Sequence, residues 1–239
     1  MKTIGVLTSG GDSPGMNTAL RSIVRTCAHY KIKCVGIVRG YSGLIEDNTK
    51  VLNTRSVRGI INKGGTFLYS ARCDEFRQAS GRKKAYKTLR NNNIDGLIVI
   101  GGDGSFTGAL KLKDEFNFPV IGIPGTIDND IFGTSHTLGY DTALNTVMDA
   151  IDKIRDSAIS HDRLFFVEVM GKDAGYIARR SGIAIGAQEI LIPEVNTKIN
   201  DLIDSLKNSK KSGKTSSIIV VAEGYKPCLL YTSPSPRDT

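Results

Sequence analysis

The sequence predicts an α/β chain with mainly parallel sheets, and three observations carry that expectation. Short apolar runs alternate with helical patterns along the chain. Three of those runs lead into turns rich in glycine and acids: Ile4 to Thr8 into Ser9-Gly10-Gly11-Asp12, Gly96 to Ile100 into Gly101-Gly102-Asp103-Gly104-Ser105, and Pro119 to Ile123 into Pro124-Gly125-Thr126-Ile127-Asp128-Asn129-Asp130. The 239 residues, 40% hydrophobic and 23% charged, suffice for one large domain or two small ones.

In order, Ile4 to Thr8 reads as a strand, about Met16 to His29 as a helix and Cys34 to Val38 as a strand. A helix within Gln78 to Leu89, the strand at Gly96, a helix from Ser105 to Asp114 and the strand at Pro119 follow. This is the βαβ rhythm of a parallel sheet covered on both faces. In such a sheet the three turns lie at the carboxyl ends of strands, where ligands bind. Asp141 is expected to cap a long helix whose Leu144, Val147, Met148, Ile151 and Ile154 form one apolar stripe. The second half repeats the rhythm with Leu164 to Val169, a helix near Asp173 to Ile185, Ile190 to Ile192, a helix Ile199 to Leu206, and Ser217 to Ala222. Lys207 to Ser216, with four lysines among Ser, Gly and Asn, reads as a solvated loop. The last thirteen residues, 227–239, hold three prolines, break the alternation and read as foreign sequence.

Composition narrows the function classes. The longest apolar runs are strand-sized and the amino terminus carries no leader pattern, so a cytoplasmic protein is expected, with no membrane partner. Cys27, Cys34, Cys73 and Cys228 show no paired ligand spacing, which favours reduced thiols over zinc or disulfides. A net charge of +8 suits either nucleic acid or phosphorylated small molecules. No aromatics are interleaved with the basic residues, so phosphate esters are preferred and nucleic acid is not expected.

The turns themselves suggest phosphoryl chemistry. Glycines at 101, 102 and 104 let backbone approach an anion, and a following helix offers amides and the positive end of its dipole. Asp103 would hold Mg²⁺ rather than phosphate. A lone Gly-Gly-Asp-Gly is equally well a steric strand-to-helix turn. In the heptapeptide, Asp128 and Asp130 would share a side of an extended segment, one taking a hydroxyl proton and the other orienting Mg²⁺. An Asx-rich turn bonding its own amides is the alternative there.

Taken together, the segments Ile4 to Asp12 with Pro14 to Asn17, Gly64 to Phe67 with Ser70 to Arg72, Gly101 to Ser105, Pro124 to Asp130, His161 to Arg163 with Glu168 to Gly171, and Ala222 to Gly224 closely resemble the ATP-dependent 6-phosphofructokinases of bacterial type. The resemblance runs from residue 2 to about Lys226. It implies two Rossmann-like αβα domains, 1–138 binding ATP and 139–226 binding sugar phosphate. The family's chains continue past Glu223 and return to the first domain, which would therefore be incomplete here.

The implied reaction is MgATP-dependent phosphorylation of fructose 6-phosphate at its 1-hydroxyl. By resemblance, Asp128 is the base, with Thr126, Asp130 and Arg72 beside it, and Asp103 serves the metal. Gly11, Tyr41, Arg72, Cys73, Arg77, Gly102, Asp103, Gly104, Ser105 and Gly108 match nucleotide positions. Met170, Gly171, Lys172 and Glu223 match the sugar-phosphate site, together with Thr126, Asp128 and Asp130, and Arg163 matches an arginine lent by a neighbouring subunit of a homotetramer. Lys172 stands where the family usually has arginine, turning a bidentate contact into a point charge. Cys73 replaces a common aromatic near the adenine.

Pyrophosphate-dependent relatives usually carry an acid at the position of Gly104 and a lysine at that of Gly125, so ATP is favoured as donor. An effector site is implied at Arg21, Arg25, Arg55, Arg155, Gln188 and Lys214. There Thr54 stands at a usual arginine position, with Arg55 one place on, and Gln188 replaces an acid. A nucleotide-binding fragment without turnover is the rival reading, and a lipid or NAD kinase sharing only the Gly-Gly-Asp-Gly turn leaves Pro124 to Asp130 unexplained.

Overall fold

Alternation along β1 (Thr3–Thr8) sends Val6 to one apolar cluster and Leu7 to another, so this strand is buried on both faces. A computed structural model describes residues 2–160, 163–214 and 216–226. His161 and the segment 227–239, with Cys228, lie outside the described residues. The chain divides into two compact units, Met1–Tyr140 and Asp141–Thr239.

In the first unit, α1 (Met16–His29) buries Leu20, Ile23, Val24 and Cys27, the three-and-four spacing expected of a helix lying on a sheet. Strand β2 (Lys33–Ile37) follows, then α2 (Gly40–Ile45) and β3 (Thr49–Leu52). Helix α3 (Ala79–Asn91) leads to β4 (Gly96–Gly101), α4 (Asp103–Phe116) to β5 (Val120–Thr126), and a two-residue β6 (Leu138–Gly139) closes the unit. The strand order is β3-β2-β1-β4-β5-β6, parallel except for the antiparallel edge strand β3. Chain direction across the sheet reverses between β1 and β4, which is the ligand crevice of an open α/β sheet. Helix α3 gives way to Asn93 and α4 to Asn117, both at positive φ, where asparagine is tolerated.

The second unit carries α5 (Tyr140–Ser160), β7 (Leu164–Val169), α6 (Tyr176–Ala184), β8 (Glu189–Leu191), α7 (Ile199–Lys211) and β9 (Ser217–Ala222). Its three strands are parallel, in the order β7-β9-β8.

Several expectations change. The lysine-rich stretch from Lys207 is not a loop: α7 continues to Lys211, because lysine is a good helix former and suits a helix carboxyl end. Ile199, Leu202, Ile203 and Leu206 recur at three and four along that helix, yet no α7 residue is buried. Asp141 falls inside the first turn of α5 rather than capping it. β5 runs through Thr126, so Pro124, Gly125 and Thr126 are strand and the turn proper begins at Ile127. Cys27 and Cys34 are neighbouring buried thiols, and burial pushes Cys34 up to about 12, which keeps it unreactive.

Candidate functional site

The three turns stand side by side because β1, β4 and β5 are adjacent and parallel. The Ser9 amide donates to the Ile100 carbonyl at 3.0 Å, tying the first turn to the second. Gly101 is a site of close approach: a Cβ there would lie 2.6 Å from the Ser9 carbonyl oxygen and 2.7 Å from Ser105 Oγ. Gly10 has φ +86, a conformation L side chains rarely adopt, and it presents Gly11 to solvent. A Cβ on Gly102 would come 3.7 Å from that of Thr126, so the second turn also abuts the third.

Helix α4 begins at Asp103 directly after Gly102. The Asp103 and Gly104 amides have no intrahelical carbonyl, while the Ser105 and Phe106 amides are taken by the Gly102 carbonyl. Two exposed amides at the positive end of a fourteen-residue helix suit an anionic phosphate. The other two turns differ: α1 starts only at Met16, and α5 begins ten residues beyond Asp130.

Tyr41 is buried under this helix. Its hydroxyl donates to the Ser105 carbonyl at 2.6 Å and its ring stacks on Phe76 at 3.9 Å. Burial pushes the phenol pKa up, so it remains a donor. Gly108 lets α4 rest on that stack, since a Cβ there would meet the Phe76 ring at 3.1 Å. Tyr41 and Gly108 thus shape the Gly101–Ser105 turn from below.

Arg72, Cys73 and Arg77 lie on the segment before α3, with both arginines exposed and Cys73 half-buried against the core. Five bonds hold that segment's approach. Thr8 Oγ1 donates to the Tyr69 carbonyl (2.6 Å), and the Arg39 amide to the Leu68 carbonyl (2.8 Å). Asn17 brackets the loop by donating to the Lys63 and Gly65 carbonyls and accepting the Phe67 amide.

A residue that sequence reasoning missed anchors the far side. Arg82 donates to the Phe76 and Arg77 carbonyls at 3.0 and 2.6 Å, and its guanidinium grips Glu115 on α4 at 2.6–2.9 Å. No sequence signal marks it, because its partner lies 33 residues away. Arg82→Ala should cost about 2 kcal/mol, less than the roughly 3–5 of a fully buried pair, because the Glu115 side chain stays 34% exposed. Arg82 holds the Glu115 carboxyl below its ordinary range. The pair's contribution is therefore complete above about 4.3 and lost as pH falls through the lower folded value. The gap between the urea midpoints of wild type and variant should narrow in that acid window without closing, because the bonds to the Phe76 and Arg77 carbonyls do not titrate.

At the third turn, Asp128 is half-buried and Asp130 exposed. The Asp128 amide donates to Thr126 Oγ1 at 3.2 Å. The segment is not extended as expected: Asn129 has φ +54 and makes a bend, so alternation about residue 129 is not what orients the two acids.

In the second unit, Met170, Gly171, Lys172 and Glu223 come together beyond the carboxyl ends of the adjacent strands β7 and β9. Glu223 Oε1 accepts the Lys172 amide at 2.5 Å, and the Glu223 amide donates to the Val169 carbonyl at 3.0 Å. Gly171 at φ +146 and Lys172 at φ +54 make the turn, and a Cβ on Gly224 would lie 2.4 Å from the Lys172 carbonyl oxygen. Arg163 sits just before β7, at the opposite end of that strand from Met170. Two concave surfaces lie away from these turns. Arg21 and Arg25 line one on α1, while Arg155, Gln188 and Lys214 line another in the second unit, where Lys214 Nζ donates to Gln188 Oε1 at 3.1 Å. Arg55 belongs to neither, in an exposed Asn53–Ser56 turn.

Fold and turns together define a doubly wound α/β unit with three glycine- and acid-rich turns at one end of adjacent parallel strands. A family model described as Phosphofructokinase matches residues 3–234, and the chain belongs to the phosphofructokinase family. The ATP-dependent 6-phosphofructokinase of Thermoanaerobacter sp. (strain X514) is 58% identical over 224 residues, covering 94% of this chain and 70% of that relative. That of Halalkalibacterium halodurans is 56% identical over the same shares. The phosphofructokinase structure from Saccharomyces cerevisiae matches with a TM-score of 0.87 at 38% identity, over 95% of this chain and 34% of that one. The chain thus spans about a third of the yeast protein's length. A pyrophosphate-dependent phosphofructokinase from Marinobacter aquaeolei shares the fold, with a TM-score of 0.79 at 22% identity over 95% of this chain and 62% of that one.

Proposed function

We propose that the chain carries the machinery for phosphorylating fructose 6-phosphate at its 1-hydroxyl with ATP. The observation that supports this most is the contact of three turns: Ser9 and Gly10 against Gly101 and Ser105, and Gly102 beside Thr126, whose Oγ1 accepts the Asp128 amide. In this reading the first unit is the ATP-binding domain. Gly11, the Asp103 and Gly104 amides and Arg72 hold phosphate oxygens, and Asp128 takes the proton as the sugar oxygen attacks the γ-phosphoryl. Thr126, Asp130 and Arg72 steady the reacting groups, so catalysis is positioning and charge neutralisation. In the second unit, Met170, Gly171, Lys172 and Glu223 serve the acceptor, with Arg163 acting in a neighbouring copy of a homotetramer.

Mg²⁺ fits as a shared ligand. Among the described residues no cluster of three metal-binding side chains occurs. Asp103 at a helix start suits a cation held by one carboxylate plus nucleotide phosphates, which is how Mg²⁺ is usually bound. When bound it would neutralise phosphate charge. Effector binding at Arg21 and Arg25 and at Arg155, Gln188 and Lys214 belongs to the same proposal. No helix among the described residues is long and apolar enough to cross a membrane, and the cytoplasm is the proposed location.

ATP is favoured as donor by Gly104, where a Cβ would meet nothing within 4 Å and room is left for nucleotide. Gly104→Asp should fold normally, since an acid in a helix's first turn is favourable. Its carboxylate would face the phosphates, and ATP affinity should fall at least tenfold with the melting temperature unchanged. The functional test is a coupled assay with fructose 6-phosphate and Mg²⁺. Turnover is expected with ATP and at least a hundredfold less with pyrophosphate. Equal rates with both donors, or ATP binding without turnover, would refute it.

A further inference from the structure

We infer that Thr137, outside the acidic turn itself, is the positioning residue for Asp128; the inference rests on the reading of Asp128 as base. Thr137 is 5% exposed and turns its hydroxyl and its amide to the acidic turn. Its hydroxyl donates to the Thr126 carbonyl at 2.6 Å, and its amide donates to Asn129 Oδ1 at 2.9 Å. The residues on either side of the Ile127-Asp128 pair are therefore tied to one point eight to eleven positions further along.

Thr126 passes the constraint inward, because its Oγ1 accepts the Asp128 amide. Asn129 completes the clasp: at φ +54 it donates Nδ2 to the Ser135 carbonyl at 3.3 Å. The clasp is anchored in turn. The next residue's carbonyl, that of Leu138, accepts Ser13 Oγ at 3.0 Å, and a Cβ on Gly139 would lie 2.9 Å from Pro14 and Ser13 atoms. Thr137 thus links the acidic turn to the first glycine turn, so that Asp128 keeps its place relative to the donor site. A buried hydroxyl needs some acceptor in any protein. What distinguishes this one is that both bonds end on residues bracketing the base.

Thr137→Val removes the hydroxyl but keeps branching and volume, and Thr137→Ser keeps the hydroxyl. Misplacement by about 1 Å costs on the order of a hundredfold in rate. The Val variant should therefore lose about 10- to 100-fold in kcat with KM for ATP within about twofold, and Ser should stay within about threefold of wild type. Asn129→Gly, which retains the backbone conformation, should lose kcat similarly. Amide exchange across 127–137 should speed about tenfold in the Val variant and not in Ser. A Val variant with wild-type kcat or wild-type exchange, or a Ser variant falling as far as Val, would overturn the inference. Absence of turnover in wild type would instead refute the functional reading, leaving the exchange comparison to decide on the clasp.

Discussion

Asp128→Ala is expected to lower kcat by about 10²–10⁴, the range contributed by a positioned general base, while ATP affinity stays within about twofold. The asymmetry follows from where the groups sit. The amides proposed to hold the nucleotide belong to α4 and the first turn, whereas Asp128 lies beyond β5 with its amide on Thr126 Oγ1. Removing the carboxylate leaves both glycine turns intact, so donor binding survives and proton removal does not. The measurements are a coupled product assay and a fluorescence or calorimetric ATP titration on the same preparation. Retention of more than a tenth of the wild-type rate would remove Asp128 from the role of base. Loss of ATP binding in parallel with rate would show that the substitution had disturbed the turns.

Gly101→Ala should affect stability and donor binding together. The added methyl would sit 2.6 Å from the Ser9 carbonyl oxygen, 2.7 Å from Ser105 Oγ and 2.9 Å from Ser105 Cβ. The Ser9 carbonyl cannot swing aside cheaply, since the same residue's amide is bonded to the Ile100 carbonyl. The first two turns must separate, at a cost near the upper end of the ~1–3 kcal/mol typical of overpacking. ATP affinity should fall more than tenfold. Gly11→Ala is the control: a Cβ there meets nothing within 4 Å, so its urea midpoint should match wild type even if phosphate binding weakens. Equal urea midpoints for Gly101→Ala and Gly11→Ala would contradict the close approach.

The longer parallel strands and α1 were legible because apolar runs and three-and-four spacing are local signals. Helix α2 was not. Its six residues, Gly-Tyr-Ser-Gly-Leu-Ile, include two glycines, and one of them is required by a close backbone approach: a Cβ on Gly43 would fall 1.6 Å from the Val38 carbonyl oxygen. The antiparallel β3 is four residues at an edge, too short to carry a pattern. Lysines after Leu206 read as solvent-facing, which they are, but exposure and helix are compatible. At the site, glycines and acids announced themselves, and family resemblance supplied roles for Arg72, Met170 and Lys172. Arg82 and Thr137 stayed hidden because their meaning lies in partners reached through space.

The adjacency of β1 and β4 also orders events during folding. Asp95 collects the amides of Lys2 and Thr3 from 93 and 92 positions away, and the contact of the first glycine turn with the second depends on that distant closure. Helices α1 and α3 form from local interactions, whereas the pairing of β1 with β4 must first meet a large loop-closure entropy. Helical content can therefore recover before any donor site exists. In the folded protein the reverse holds: an opening that frees β1 abolishes the site while sparing most helices. Bound ATP should slow amide exchange along β1 and β4 in proportion to occupancy, making ligand and sheet closure a single linked equilibrium.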